Sequence, residues 1–185
     1  MSKEVHIGSS PYLTTLSGIA AIKVVQSATT GAGAATWAIR NGTTTGKTLF
    51  IRKIWMQFIF SGTGAATEMQ YEWIKGASCT AMSGGTAVTP LLRTSRVSHG
   101  DVDVRVLDTG LTQTGISMGS SFWIGGYQRV THAATQTADT SSNIFELDFG
   151  AYPIELQKNE VLTLRQLATS VIGDTVLGGV DFYGG

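Results

Sequence analysis

Charged residues are scarce in this 185-residue sequence: they make up 14% of it, and 13 Lys and Arg balance 13 Asp and Glu. An average soluble domain is about 25% charged. Binding through the nucleic-acid backbone needs a basic excess, so the balance predicts no nucleic-acid partner. Disorder combines low hydrophobicity with high net charge, and this neutral chain is 42% hydrophobic. The composition therefore predicts a folded, neutral protein.

Cysteine, proline and long apolar runs are also rare. Cys79 is the only cysteine, which excludes an internal disulfide or a paired-cysteine zinc site, and we expect it to be a small buried residue. Three prolines exclude a proline-rich linker. No apolar stretch approaches the roughly 18 residues of a membrane span, and no signal-peptide run follows Met1. We therefore expect synthesis and folding in a reducing cytoplasm and no membrane partner.

Small flexible and hydroxyl residues are abundant. The sequence has 23 Gly, 25 Thr and 16 Ser. Thr suits strands, Gly and Ser suit turns, and such a composition disfavours long helices. Apolar and polar residues alternate in many short segments, which predicts about eight to ten strands and no helix. The clearest predicted strands are residues 21–25, 36–40, 48–60, 67–75, 102–106, 122–130, 143–149, 160–167 and 176–183.

Two adjacent strands have the strongest patterns. Residues 48–60 are apolar on both faces, which indicates a central strand or one covered by a partner subunit. Residues 67–75 alternate, with Tyr71 and Trp73 predicted to face the core and Glu72 to face solvent. The Gly-rich connection between the two segments predicts a long hairpin, with Trp55 in the core as well.

The spacing of these strands favours a particular β architecture. Residues 77–100 and 131–142 are predicted loops, and connections this unequal favour a jelly roll over an up-and-down barrel. The predicted fold class is therefore all-β, a single-domain jelly-roll-type antiparallel β-sandwich with a short N-terminal arm. We assign residues 1–18 to the arm and residues 19–185 to the sandwich domain.

One segment resembles a phosphate-binding loop without meeting its requirements. Residues 42–48 read Gly-Thr-Thr-Thr-Gly-Lys-Thr, with three residues between the glycines where a phosphate loop has four. A phosphate loop also precedes a helix, whereas a strand is predicted to follow here. Asn41 begins a glycosylation sequon, which carries no weight without a secretory signal. We interpret the segment as a turn.

No residue pattern predicts catalysis or metal binding. Asp101 and Asp103 follow His99, but calcium requires six or more oxygen ligands, so we expect these carboxylates to face solvent opposite valines. Ser121 and Ser142 lack the context of a nucleophile. The carboxylates that could form a hydrolase pair also fit the polar faces of strands; they are Glu68, Glu72, Glu146 and Asp148. We therefore expect no catalytic, cofactor-binding or metal-binding residues, no cofactor and no enzyme activity.

A series of strand and turn motifs resembles a known class of proteins. These motifs are WAIRN at 37–41, LFIRKI at 49–54, GGTAVTP at 84–90, FELDFG at 145–150, PIEL at 153–156 and NEVLTL at 159–164. In this order they resemble small structural proteins of tailed bacteriophages, in which one jelly roll decorates or cements the capsid. The resemblance spans about residues 34–167. It implies a homotrimer on the outer surface of the virion, bound to the phage major capsid protein.

Two further expectations concern binding. The arm has few large apolar residues, so we expect a partner to order it and the arm to attach the protein to the capsid. The alternative function is a carbohydrate- or receptor-binding module of a phage spike or fibre, in which tryptophans line a sugar-binding face. Trp123, beside Gly125 and Gly126, is the tryptophan expected to be exposed.

Overall fold

Thirteen strands and no helix make up the regular structure in the part of the chain that the computed structural model describes. The described residues are 18–25, 35–42, 48–60, 67–82, 85–88, 91–92, 102–106, 121–132, 140–141, 144–167 and 175–184. Within these ranges, no helix has the length and apolar character needed to cross a membrane. The strands are β1 (Gly18–Val25), β2 (Ala35–Asn41), β3 (Leu49–Phe60), β4 (Thr67–Gly76), β5 (Thr86–Val88), β6 (Leu91–Leu92), β7 (Val102–Val106), β8 (Ser121–His132), β9 (Thr140–Ser141), β10 (Phe145–Asp148), β11 (Ile154–Leu156), β12 (Val161–Gln166) and β13 (Thr175–Gly184).

Two antiparallel sheets form the sandwich. The first sheet has the order β10-β3-β13-β1-β6, with β9 and β11 also on β3, and the second has the order β5-β7-β2-β12-β4-β8. Four antiparallel pairs are nested along the chain: β1 with β13, β2 with β12, β3 with β10, and β4 with β8. Successive members of this set alternate between the sheets, which is the winding of a jelly roll. The predicted fold class is confirmed.

The predicted hairpin between residues 48–60 and 67–75 is wrong. β3 lies between β10 and β13 in the first sheet, whereas β4 lies between β12 and β8 in the second. Each strand lies inside a sheet and pairs with a strand on both sides, and the jelly roll supplies these paired strands from distant parts of the chain. A short Gly-rich connection is compatible with either a hairpin or a crossing between sheets, so local sequence does not distinguish them.

A β-bulge explains why β3 is apolar on both faces. Lys53 lies opposite Asp181, but the next pair is Ile51 with Phe182, so Arg52 is an extra residue. An extra residue shifts the alternation of side chains by one position, so residues beyond the bulge point to the opposite face from the one that strict alternation predicts. The core-facing residues of β3 are Leu49, Ile51, Ile54, Met56 and Phe58. β3 is a central strand, as predicted.

Because of this shift, the prediction that Trp55 lies in the core is wrong. This side chain is half-buried, lies on the outer face of the first sheet, and does not belong to the core cluster. The prediction for Trp73 is confirmed, since its side chain is buried in the core. The outward position of Trp55 follows from the extra residue at Arg52, because Trp55 would share a face with Ile51 in a regular strand.

Aromatic side chains fill the centre of the sandwich. Trp37 and Trp73 pack edge to face, with ring centroids 5.3 Å apart and an interplanar angle of 80°. Phe58 from the first sheet packs on Tyr71 from the second at 5.0 Å. Gly178 leaves room for the facing sheet, because a Cβ there would lie 3.3 Å from Leu164 Cδ2. The contacts of Phe58 with Tyr71 and of Gly178 with Leu164 join the two sheets, whereas the tryptophan pair joins two strands of the second sheet.

Two predicted loops contain short strands. β5 and β6 lie within residues 77–100, and β9 lies within residues 131–142. These strands have two or three residues each, too few for alternation to reveal them. Residues 1–17 lie outside the described residues and β1 begins at Gly18, so the division into an arm and a sandwich domain stays a prediction.

Candidate interaction surfaces

Two of the candidate catalytic carboxylates lie on opposite sheets, each with a basic partner. Glu72 lies on the outer face of the second sheet, where Arg165 Nε donates to its Oε1 at 2.9 Å. Glu72 is 8% exposed, so the prediction that it faces solvent is wrong. Glu146 lies on the outer face of the first sheet, with Lys53 Nζ 2.6 Å from its Oε1. The fold therefore separates these two carboxylates.

Among the remaining candidates for hydrolysis, the structure describes the side chain of Asp148. Asp148 Oδ1 lies 4.0 Å from Arg52 Nε on the outer face of the first sheet. The side chains of Glu68 and Ser121 lie outside the part that the structure describes, as does all of Ser142. Asp148 is thus a surface carboxylate beside a cation, and nothing in its described surroundings is a nucleophile.

The candidate metal loop is only partly described. His99 and Asp101 lie outside the described residues. Asp103 Oδ1 accepts a hydrogen bond from Arg105 Nε at 3.4 Å, and its Oδ2 lies 3.6 Å from Arg40 Nη2. Within the described ranges, no three His, Cys, Asp or Glu residues are grouped to hold a metal ion. Asp103 therefore takes part in ion pairing with arginines.

The segment at 42–48 lies between β2 and β3 in the chain, and the strand predicted to follow it is present. The structure describes Gly42 and Thr48 within it, and the strand β3 begins at Leu49. A helix N-terminus, which a phosphate loop requires, does not follow. Asn41 of the sequon is 2% exposed, and its Nδ2 donates to the Leu156 carbonyl at 2.7 Å. The folded chain therefore has no accessible glycan acceptor at Asn41.

Asn41 instead forms hydrogen bonds that link the chain segments at one end of the sandwich. Its backbone N–H donates to the Glu160 carbonyl at 3.0 Å, and its own carbonyl accepts from Asn159 N–H at 2.8 Å. Lys75 Nζ from β4 lies 2.8 Å from Glu160 Oε2, which also accepts from Gln157 N–H at 2.7 Å. Asn159 has φ of 66°, a left-handed conformation that Asn tolerates in turns. β2, β4 and the turn before β12 are thus linked.

The residues that follow β4 form hydrogen bonds with this end of the sandwich. Cys79 N–H donates to the Asn159 carbonyl at 2.6 Å, and Arg40 Nη1 donates to Asn159 Oδ1 at 3.3 Å and to the Thr80 carbonyl at 3.1 Å. Cys79 packs with Ala38 and Val161 and is buried. The prediction of a small buried residue at Cys79 is confirmed, and the backbone of this end is held at several points.

Asn41→Asp is expected to lower the free energy of unfolding by about 1–3 kcal/mol. The substitution keeps the shape of the side chain but replaces the NH2 donor with a buried oxygen facing the Leu156 carbonyl. Denaturant unfolding measures the change. Gln157→Ala, at an exposed position of the same end, is the control and is expected to stay within about 0.5 kcal/mol. Equal stability of wild type and Asn41→Asp would contradict this role for Asn41.

A tight turn presents an exposed tyrosine beside the first sheet. Tyr152 N–H donates to the Phe149 carbonyl at 2.9 Å, and Gly150 N–H donates to Asp148 Oδ1 at 2.8 Å. Gly150 has φ of 54°, which glycine adopts without strain. Tyr152 is 89% exposed. A tyrosine on a fixed turn loses little backbone freedom when a partner binds it.

The outer faces of the two sheets differ. On the second sheet, side chains that point away from the core are nevertheless buried; they are Thr36, Ala38, Glu72, Ile74, Val161 and Thr163. Cys79 and Met82 cover part of this face by packing on Ala38 and Val161. The outer face of the second sheet is therefore covered within the chain over parts of β2, β4 and β12, whereas Arg40, Arg105 and Arg165 on this face are half-buried.

The outer face of the first sheet is more accessible, and we name it the open face. Its residues come from β3, β10 and β13 and are half-buried or exposed; they are Phe50, Lys53, Trp55, Gln57, Ile59, Glu146, Asp148, Leu177, Asp181 and Tyr183. Phe50 stacks on Tyr183 with ring centroids 5.1 Å apart. Trp55 lies between Glu146 on one neighbouring strand and Gly179 on the other, and Gly179 has no side chain to cover it. The open face combines aromatic surface with paired charges.

Sequence reasoning missed the Tyr152 turn. For residues 48–60 it left open a central strand or one covered by a partner subunit, and it misplaced Trp55 in the core. Asp148-Phe149-Gly150 could have indicated the turn, since Asp and Gly favour turns. The side chain of Trp123, the predicted exposed tryptophan, lies outside the described part.

Comparison with known proteins adds little to these observations. No protein-family model matches the chain, and no curated protein matches it. Among solved structures, the chain is similar to one from deformed wing virus carrying the GFP gene, with 9% identity and a TM-score of 0.28. The match covers 91% of this chain and 76% of the viral chain. At this TM-score the similarity supports no argument about function, so function is argued from the fold and its surfaces.

Proposed function

We propose that this protein is a virion structural protein that binds the outer surface of a bacteriophage capsid as a decoration protein, and that it does so as a homotrimer without enzymatic activity. The observation that carries the proposal is the open face: a jelly-roll sheet whose outer side presents Phe50, Trp55 and Tyr183, whereas the central strands of the other sheet have mostly buried outer side chains. Jelly rolls serve as viral capsid and lectin domains.

The chemistry of the open face supports contact with protein. Lys53 pairs with Glu146, and Arg52 lies near Asp148, so the charges on this face are largely compensated. Aromatic side chains surrounded by compensated charges are typical of protein interfaces, whose cores are depleted in net charge. A trimer places this face against a different surface of the next copy, and such head-to-tail contacts close into a ring.

Co-sedimentation with capsids that lack the protein tests the proposal. Native mass spectrometry of the purified protein is expected to give three copies, and binding to capsids is expected to saturate at a multiple of three. Trp55→Ala is expected to weaken the trimer at least tenfold, because interface aromatics contribute most of the binding energy. Thr80→Ala, at an exposed position in the segment after β4 of the second sheet, is the control.

Two results would contradict the proposal. A monomer that does not sediment with capsids would exclude decoration. Specific binding on a glycan array that Trp55→Ala abolishes, without capsid binding, would favour the carbohydrate- or receptor-binding module, in which Trp55 would stack on a sugar ring.

A further inference from the structure

Asn41 and Gly42 form a chemically labile pair at the end of β2. Of the three asparagines in the sequence, Asn41 is the one that glycine follows, whereas isoleucine follows Asn143 and glutamate follows Asn159. Glycine has no Cβ, so its backbone nitrogen can approach the preceding side chain with little hindrance. We propose that Asn41 is a site of spontaneous deamidation that the native fold protects, and that reaction there in an opened molecule destabilises the protein irreversibly.

The reaction needs water and no other reactant. The backbone nitrogen of Gly42 attacks Cγ of Asn41, the bond from Cγ to Nδ2 breaks, and Nδ2 leaves as ammonia with the proton that the backbone nitrogen gives up. One water molecule then opens the resulting five-membered imide at either of its carbonyl carbons. Opening at Cγ gives aspartate, and opening at the backbone carbonyl gives isoaspartate, in which the main chain runs through Cγ. Both products carry a new carboxylate.

Three hydrogen bonds and burial protect Asn41 in the native structure. Its Nδ2 donates to the Leu156 carbonyl at 2.7 Å, its N–H donates to the Glu160 carbonyl at 3.0 Å, and its carbonyl accepts from Asn159 N–H at 2.8 Å. Ring closure requires the side-chain amide to turn toward the Gly42 nitrogen and to leave the Leu156 carbonyl. The ammonia and the water also need space, and Asn41 is only 2% exposed. The reaction therefore requires local opening of this end of the sandwich.

Neither product restores the native contacts at this position. In aspartate, an oxygen replaces the Nδ2 that donates to the Leu156 carbonyl, so a buried carboxylate faces an acceptor. In isoaspartate, one more carbon atom separates the N–H that donates to Glu160 from the carbonyl that accepts from Asn159. The longer main chain cannot keep both hydrogen bonds with unchanged geometry. Deamidation therefore weakens the link between β2 and the turn before β12.

Incubation of the full-length protein in alkaline buffer, with and without denaturant, tests the protection. Peptide mass spectrometry measures the replacement of NH2 by OH at Asn41. Deamidation is expected to be at least about a hundredfold slower in the native protein than in the denatured chain, because open forms of a stable domain are rare. Equal rates in the two states would overturn the proposal. Reaction of Asn41 no faster than that of Asn143 and Asn159 in the denatured chain would also overturn it.

Gly42→Ala is the matched control for the chemistry. In the denatured chain, the added methyl group hinders the approach of the backbone nitrogen, so deamidation at Asn41 is expected to be about tenfold slower than in wild type. This comparison does not depend on the folding of the variant. Deamidation of Gly42→Ala at the rate of wild type would contradict the role of Gly42.

The melting temperature after refolding tests the consequence. Wild-type protein is incubated in denaturant until Asn41 has reacted and is then refolded, and Asn41→Asp provides the aspartate product directly. The reacted protein is expected to melt below Asn41→Asp, because part of it contains isoaspartate, and both are expected to melt below fresh wild type. Gly42→Ala treated in the same way for the same time is expected to keep most of its starting melting temperature. A reacted protein that melts as fresh wild type does would overturn the proposal.

The inference does not rest on the proposed virion role. Each measurement uses the free protein and follows the chemistry of one residue pair and the stability of the fold. Loss of capsid binding in the other experiments would leave these expected results unchanged.

Discussion

Phe58→Ala is expected to lower the free energy of unfolding by about 3–5 kcal/mol, whereas Trp55→Ala on the same strand is expected to cost about 1 kcal/mol. Phe58 is buried in the core against Tyr71, and its removal leaves a cavity between the two sheets. Trp55 lies on the open face and is only half-buried. Denaturant unfolding of both variants measures the difference.

The dependence on protein concentration distinguishes a stability loss in the core from a stability loss at the proposed subunit interface. Binding between copies stabilises the folded state by mass action, so a loss at the interface varies with concentration. The loss at Phe58 is expected to be independent of concentration, and the loss at Trp55 to depend on it. Equal and concentration-independent losses at Phe58 and Trp55 would contradict the bulge at Arg52, because both side chains would then face the core.

The fold class could be predicted from the sequence because strand alternation is a local signal. Tyr71 and Trp73 fall on one face in the sequence pattern and in the core of the structure. Unequal connections between strands were enough to favour a jelly roll. The same reasoning predicted that a strand, and not a helix, follows residues 42–48.

The pairing of strands could not be predicted because it depends on distant parts of the chain. Whether β3 forms a hairpin with β4 or lies between β10 and β13 is decided by packing of the whole sandwich. The bulge at Arg52 is set by its partner β13, and it changed the side to which Trp55 points. Likewise, Glu72 is buried because Arg165, far along the chain, lies beside it. Residues that depend on such long-range partners were the ones misplaced.

If the proposed decoration role holds, deleting residues 1–17 is expected to abolish attachment to capsids while leaving the sandwich and the proposed trimer intact. β1 begins at Gly18, so the deletion removes no described strand. The deleted segment offers few apolar anchors, chiefly Val5, Ile7, Tyr12, Leu13 and Leu16. Such a segment gains order when a partner binds it and then contributes a large contact surface. Co-sedimentation with capsids measures attachment, and light scattering measures the trimer.

A variant with residues 2–17 in scrambled order is the control, because it keeps the length and composition of the segment. If attachment depends on specific contacts, the scrambled variant fails to bind capsids as the deletion does, and both keep the melting temperature of the wild type. Dissociation of the deletion variant into monomers would place the segment in the subunit interface instead. Undiminished capsid binding by the deletion variant would show that the docking surface lies on the sandwich instead. Tyr152, an exposed aromatic residue on a tight turn, would then be the next residue to substitute.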